Sequence, residues 1–283
     1  EILRHNAAMR VTLDKENTSE RRRVIAAVQL RLDDAANILN AKHGWKGLRY
    51  DASNKEQMDE LVTALALDAR NYNHEGVSES EATARKERVK QLIMTDYLDI
   101  FAADNSCPGV SDLEPMKIEL LGTHVKPVRS APYRSTPLYR DYIAEQISKL
   151  LEAGSIRPGY GPWASPVAVV RHPSGKLRMV CDFRRPNKVT KVDAHPLPDM
   201  EVILQQLSKM KYFSCVDLCS GFHQVALNDE AIEKTGITTH LGIFEWLVTP
   251  FGLASAPSHF SRCIGTLLAG MTYRNAMSFI DDI

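Results

Sequence analysis

Cysteine is scarce in this sequence and badly placed for cross-linking. Cys107, Cys181, Cys215, Cys219 and Cys263 are odd in number and contain no C-x-x-C pair. That pattern argues against a disulfide framework and a structural zinc site, and reduced thiols in an intracellular protein are expected, with a cytoplasmic particle or the nucleus equally open. No run of about 18 apolar residues occurs, so neither a membrane span nor a membrane partner is expected. The opening EILRHNAAMR lacks an apolar signal-peptide core. It also lacks an initiator Met, so a piece of a longer protein is expected.

Net charge is absent as well, but its distribution is uneven. Residues 124–191 hold thirteen Lys and Arg against four Asp and Glu, a net of +9. Residues 192–283 hold five against ten, a net of −5. A basic stretch followed by an acidic one points to a polyanion beside a cation-dependent site, with two solvated faces as the plain alternative.

The 283 residues suffice for roughly two domains. Residues 1–90 read as a helical N-terminal region with no visible chemistry. Apolar residues at helical spacing run from Val24 to Leu39 and again from Met58 to Ala69 after a Ser53/Glu56 capping box. A third helix is expected from Ser78 and Glu81 through Tyr97. Residues 91–136, punctuated by Pro108, Pro115, Pro127 and Pro132, read as an extended linker. Beyond it, Ile143, Ile147, Leu150 and Leu151 fit one helix face closed by Gly154.

From Pro166 the period drops to two. PVAVVR, the turn HPSG and KLRMVCDF predict a β-hairpin. Strands are expected at YFSCVDL, HQVAL, GITTH, IFEWLV and MSFIDDI, and helices at DMEVILQQLSKM and APSHFSRCIGTLLAGM. Helices and strands mix without βαβ alternation, which favours an α+β fold over a doubly wound parallel sheet.

Asp281 and Asp282 sit in an apolar run, FIDDI, and Asp217 follows another apolar strand, VDL. Adjacent anions in a partly buried strand repel unless a cation compensates them. Mg²⁺ takes oxygen ligands and keeps waters and phosphates in its shell. Three carboxylates on neighbouring strands would suit one or two such ions, the arrangement used in phosphoryl transfer.

VDLCSGFHQ, TPFGLASAPSHF and FIDDI occur in that order and resemble the three palm motifs of reverse transcriptases from LTR retrotransposons, most closely the gypsy type. PYRSTPLYRDYIAEQISKLLEAGSIRPGYGPWASPVAVVRHPSGKLRMVCDFRRPNK resembles the fingers of that family, and the likeness spans about residues 90–283. It implies right-hand polymerase fingers and a partial palm over 137–283, with an antiparallel palm sheet backed by helices and the paired aspartates at the tip of a hairpin whose return strand would follow.

The resemblance also implies residue roles. Asp217 and Asp281 would hold two Mg²⁺ ions (or Mn²⁺), with Asp282 a less direct ligand and the Leu218 carbonyl completing a shell. Arg171 and Arg178, with Lys176 nearby, would hold the phosphates of a deoxynucleoside triphosphate. Phe222 would be the steric gate against a 2′-hydroxyl, and Phe251 and Gly252 would pack against the sugar and template strand. Gln224 would support the turn, and Trp163 would serve core packing rather than template stacking.

Pro186, Ser255 and Phe279 depart from the leucine, asparagine and tyrosine usual at these places. The implied partners are an RNA or DNA template with primer, deoxynucleotides, and the thumb and RNase H regions of a parent polyprotein. The expected activity is RNA- or DNA-templated DNA synthesis by the parent, weak in this chain alone because its last strand would lack a partner. The alternatives are an inactive retroelement remnant with residual nucleic-acid binding and an RNA polymerase, against which Phe222 counts.

Overall fold

The computed structural model describes residues 78–101, 109–208, 215–274 and 276–283. The helices expected over 24–39 and 58–69 lie outside the described residues. The third forms as expected: α1 (Glu79–Asp96) is capped by Ser78, whose Oγ accepts from the Glu81 N–H at 3.3 Å. Its C-terminal Ile93 and the following Tyr97 are buried.

The stretch expected to be a bare linker contains a strand, β1 (Ser111–Met116). It pairs in parallel with β5 (Val225–Leu227). Ser111 Oγ donates to the Gln224 carbonyl at 2.7 Å, and Met116 is enclosed in the core. Pro115 is tolerated because a strand with one partner needs no second row of donors.

Helix α2 (Pro137–Glu152) starts on Thr136, which accepts from the Tyr139 N–H. Ile143 and Ile147 are buried and Leu150 packs against the core, but Leu151 is turned to solvent. One residue is about 100° of helix, which carries Leu151 off the apolar face. Gly154 closes the helix at φ 67°, and the Ser155 N–H returns to the Leu150 carbonyl.

The main sheet has five strands in the order β2 (Ile156–Pro158), β7 (Gly242–Trp246), β6 (Ile237–Thr239), β3 (Ser165–Arg171) and β4 (Leu177–Cys181). Every pair is antiparallel except β3–β6. Among the described residues four more helices follow: α3 (Arg184–Asn187), α4 (Met200–Leu207), α5 (Asp229–Lys234) and α6 (Ala256–Leu267). Helices set against a largely antiparallel sheet make this α+β, as expected.

One core joins these layers. Met116, Ile147, Phe183, Ile237, Phe260 and Ile264 belong to it, drawn from β1, α2, the β4–α3 link, β6 and α6. Trp163 is buried, and a β-carbon on Gly236 would stand 2.2 Å from the Trp163 carbonyl, so glycine is required there. Among the described residues no helix is long and apolar enough to cross a membrane.

Candidate active site

MSFIDDI, read from its residues as one last strand, instead turns within itself, as the family resemblance implies for the paired aspartates. Phe279 and Asp282 exchange both backbone hydrogen bonds, 2.8 and 3.1 Å, leaving Ile280 and Asp281 as a two-residue loop. Ile280 has φ 56°, the left-handed region that glycine favours and β-branched residues avoid.

The expected unpaired edge is also corrected. Residues 281–283 run antiparallel beside 216–218: Val216 and Ile283 exchange both backbone bonds, at 2.7 and 2.8 Å, and the Leu218 N–H donates to the Asp281 carbonyl at 2.8 Å. The chain turns back within FIDDI, so its final residues already form the return strand.

This register makes Asp217 and Asp282 direct cross-strand partners in a non-hydrogen-bonded pair, the closer of the two antiparallel pairings, with side chains on one face. The Cys215 thiol records the pair: burial pushes it up, and the Asp282 and Asp217 carboxylates push it further. Asp281 takes the loop position. Its β-carbon lies over Gly221, 3.4 Å from where a β-carbon there would stand. Asp217 and Asp281 are half-buried and Asp282 is exposed. Among the described residues no three His, Cys, Asp or Glu side chains stand close enough together to hold a metal ion. The backbone therefore gathers the three aspartates, while the side-chain conformations do not converge.

Leu218 is buried and its carbonyl accepts from the Gly221 N–H at 3.2 Å. Ser220, at φ 48°, turns the chain into the short 3-10 helix Gly221–Gln224. Gln224 supports that turn as expected, donating from Nε2 to the Cys219 carbonyl at 3.0 Å.

Gly221 joins the acidic tip to a stack of rings, since a β-carbon there would meet Phe260 Cζ at 2.8 Å. Phe222 lies edge-on to Phe260, centroids 5.2 Å apart, and tilted against Phe251 at 5.1 Å. The Arg178 guanidinium sits over the Phe251 ring, 5.5 Å from its centroid. Gly252, at φ 98°, follows Phe251 in the same exposed loop.

The two arginines of the β3–β4 hairpin are treated differently. Register sets Arg171 opposite Leu177 and Val170 opposite Arg178. Strand alternation then sends the arginines to opposite faces of the ribbon. Arg178 joins the ring stack, while Arg171 and Lys176 stay at the exposed tip.

Several supporting residues were not legible in the sequence. Asn187 pins the Phe251 loop: its Nδ2 donates to the Gly252 carbonyl at 2.9 Å, and its Oδ1 accepts from the Ala254 N–H at 3.0 Å. Ser255 holds the other end, accepting from the Asp193 N–H and donating to the Lys191 carbonyl. Asp182 accepts from Tyr133 Oη at 2.6 Å and from Arg184 in a two-point pair at 2.7 and 2.8 Å. Arg184, then Tyr133, holds the Asp182 carboxyl well below the usual carboxylate range. Pro186, a departure from the family pattern, is accommodated inside α3 and buried.

A family model described as reverse transcriptase (RNA-dependent DNA polymerase) matches residues 170–283. The Pol polyprotein of the Drosophila melanogaster transposon 297 is 36% identical over 275 residues, covering 89% of this chain and 25% of that protein. The chain belongs to the reverse transcriptase family of LTR retrotransposons. The gypsy polyprotein of the same fly is 34% identical over 164 residues, 56% of this chain and 16% of its own length. The chain thus spans about a quarter or less of these two relatives. Among solved structures, a foamy viral protease–reverse transcriptase in complex with an RNA/DNA hybrid shares the fold at TM-score 0.62 and 21% identity, over 90% of this chain and 28% of that one.

Proposed function

We propose that this chain supplies the fingers and part of the palm of an RNA- and DNA-templated DNA polymerase. One observation carries the reading: the ladder that pairs 216–218 with 281–283 and sets Asp217 directly against Asp282. Like charges directly opposite on neighbouring strands are destabilising unless something compensates them. Three carboxylates and the Leu218 carbonyl form an all-oxygen donor set of the kind that hard divalent cations take. Asp217, Asp281, Asp282 and Leu218 would hold two Mg²⁺ ions, or Mn²⁺, after side-chain rotation, and reverse transcriptases in general use divalent metals. Such ions, when bound, stabilise charge on the attacking and leaving oxygens of an in-line displacement.

The chain's own side chains do the rest. Arg178, backed by Phe251, and Arg171 at the hairpin tip donate to the triphosphate. Phe222 fills the space beneath the sugar and disfavours a 2′-hydroxyl. Phe251 and Gly252 pack against the sugar and the template strand, where glycine permits close approach. The primer 3′-oxygen attacks the α-phosphate and pyrophosphate leaves. The partners are a primed RNA or DNA template, deoxynucleoside triphosphates and the thumb and RNase H regions of the parent polyprotein, in an intracellular setting. Residues 137–283 form the polymerase unit, and 91–136, whose strand β1 joins its core, lead into it.

Primer extension tests this on the chain and on a longer polyprotein segment containing it. Mg²⁺-dependent extension by the longer segment, lost with Asp217→Asn, is expected, with weaker extension by the chain alone. Unchanged extension by Asp217→Asn would refute the assignment.

A further inference from the structure

We propose that His223 is a positioning residue of the nucleotide site, acting through the shape of its ring to fix Phe251, on which Phe222 and Arg178 lean. The inference rests on the proposed nucleotide roles of those three residues.

His223 is sandwiched. Its ring centroid is 5.1 Å from that of Trp246, tilted by 36°, and 5.1 Å from that of Phe251, nearly edge-on at 67°. Trp246 is a fixed floor, 4% exposed at the end of β7. Phe251 is 37% exposed, and its other aromatic neighbour is Phe222. A half-exposed ring with one aromatic neighbour can tilt, whereas a second at a different angle fixes its plane. The plane matters because Arg178 is exposed, and its guanidinium is drawn to the face of that ring.

The hydrogen-bond inventory separates shape from polarity. His223 Nε2 is enclosed and has no hydrogen-bond partner. An enclosed nitrogen without a partner costs stability, so a role that needed only a polar anchor would have supplied one. What His223 does engage is two aromatic rings. Burial alone pushes the imidazole down to about 4, so the ring is neutral near pH 7 and does not repel the guanidinium that also meets Phe251.

The test uses single-nucleotide incorporation with dTTP or UTP by the longer polyprotein segment, and dTTP binding to the full chain in Mg²⁺ read by tryptophan fluorescence. His223→Leu, which keeps volume without a ring, is expected to raise the dTTP KM and dissociation constant about 10-fold. It should leave kcat within about 2-fold and weaken the preference for dTTP over UTP. His223→Phe, which keeps the ring without the nitrogen, should restore all these to within about 2-fold of the parent. An unchanged KM and preference in folded His223→Leu overturns the proposal, as does a His223→Phe variant as impaired as His223→Leu. Should His223→Leu fail to fold, His223→Phe decides alone: a parental KM supports the ring, and a rise of about 5-fold or more refutes it. A parent that neither binds nor incorporates dTTP brings down the proposed function; a parent that does, with indifferent variants, brings down only this inference.

Discussion

The acidic tip and the ring stack meet at Gly221 but are held by different forces. At the tip, backbone hydrogen bonds that pair 216–218 with 281–283 and Phe279 with Asp282 fix the position, while the aspartate side chains they carry do not converge. In the stack, Phe222, Phe251, Phe260 and His223 hold each other by packing. The tip can therefore lose its side-chain chemistry without losing its fold, whereas the stack cannot. Substitutions that separate activity from stability test this contrast.

Asp217→Asn should have the largest effect. If the aspartates hold the metals, extension should fall by about 10³-fold, since metal stabilisation of the transition state is worth several kcal/mol. Stability should change by no more than about 1 kcal/mol, the usual worth of one cross-strand side-chain pair. A clear drop in melting temperature would show that the carboxylate is structural.

Phe260→Ala should behave in the opposite way. Phe260 is buried in α6 and supports Phe222. Truncating a buried Phe costs about 3–5 kcal/mol, read by denaturant unfolding. Any loss of extension should track that instability and be partly recovered at lower temperature, which Asp217→Asn activity would not be.

The sequence disclosed these two regions unequally. Ser78 and Glu81 predicted the start of α1 because a capping box is complete within four residues. The aspartates were legible because charge inside an apolar run is conspicuous and the ordered motifs resemble a family. Their pairing was not: the residues alone read as one strand, nothing local says that Ile280 adopts positive φ, and only the family resemblance implied a hairpin tip. His223 and Asn187 stayed hidden for a similar reason. Their contacts reach Trp246 and Gly252, 23 and 65 residues away, and a lone His or Asn has no periodic signature.

The stack should also report pH. Burial lowers the His223 pKa from 6.5 to about 4, and the Nε2 atom is fully enclosed although the residue as a whole is half-buried. The unfolded chain takes up this proton below pH 6.5 and the folded chain resists until about pH 4. The contribution to stability is therefore complete above pH 6.5 and lost as pH falls towards 4, about 3 kcal/mol in all. His223→Phe should remove that slope from the pH dependence of unfolding. The Asp182 contribution is distinct, since its lowered pKa places the loss below the usual carboxylate range.

The smallest effects concern two residues in left-handed backbone. Tyr273, at φ 59°, and Ile280, at φ 56°, each carry strain of about 1–2 kcal/mol that glycine would relieve. Their surroundings differ. Tyr273 is 49% exposed in a turn closed by its own N–H to the Ala276 carbonyl, so Tyr273→Gly gives up little packing and should gain about 1 kcal/mol. Ile280 packs against the core, so in Ile280→Gly the lost apolar contact, about 1–2 kcal/mol for a half-buried side chain, should cancel the relief. Unfolding midpoints that rise for the first variant and stay level for the second would mean that Ile280 accepts backbone strain in exchange for anchoring the acidic tip. A comparable rise in both would mean that its packing holds nothing in place.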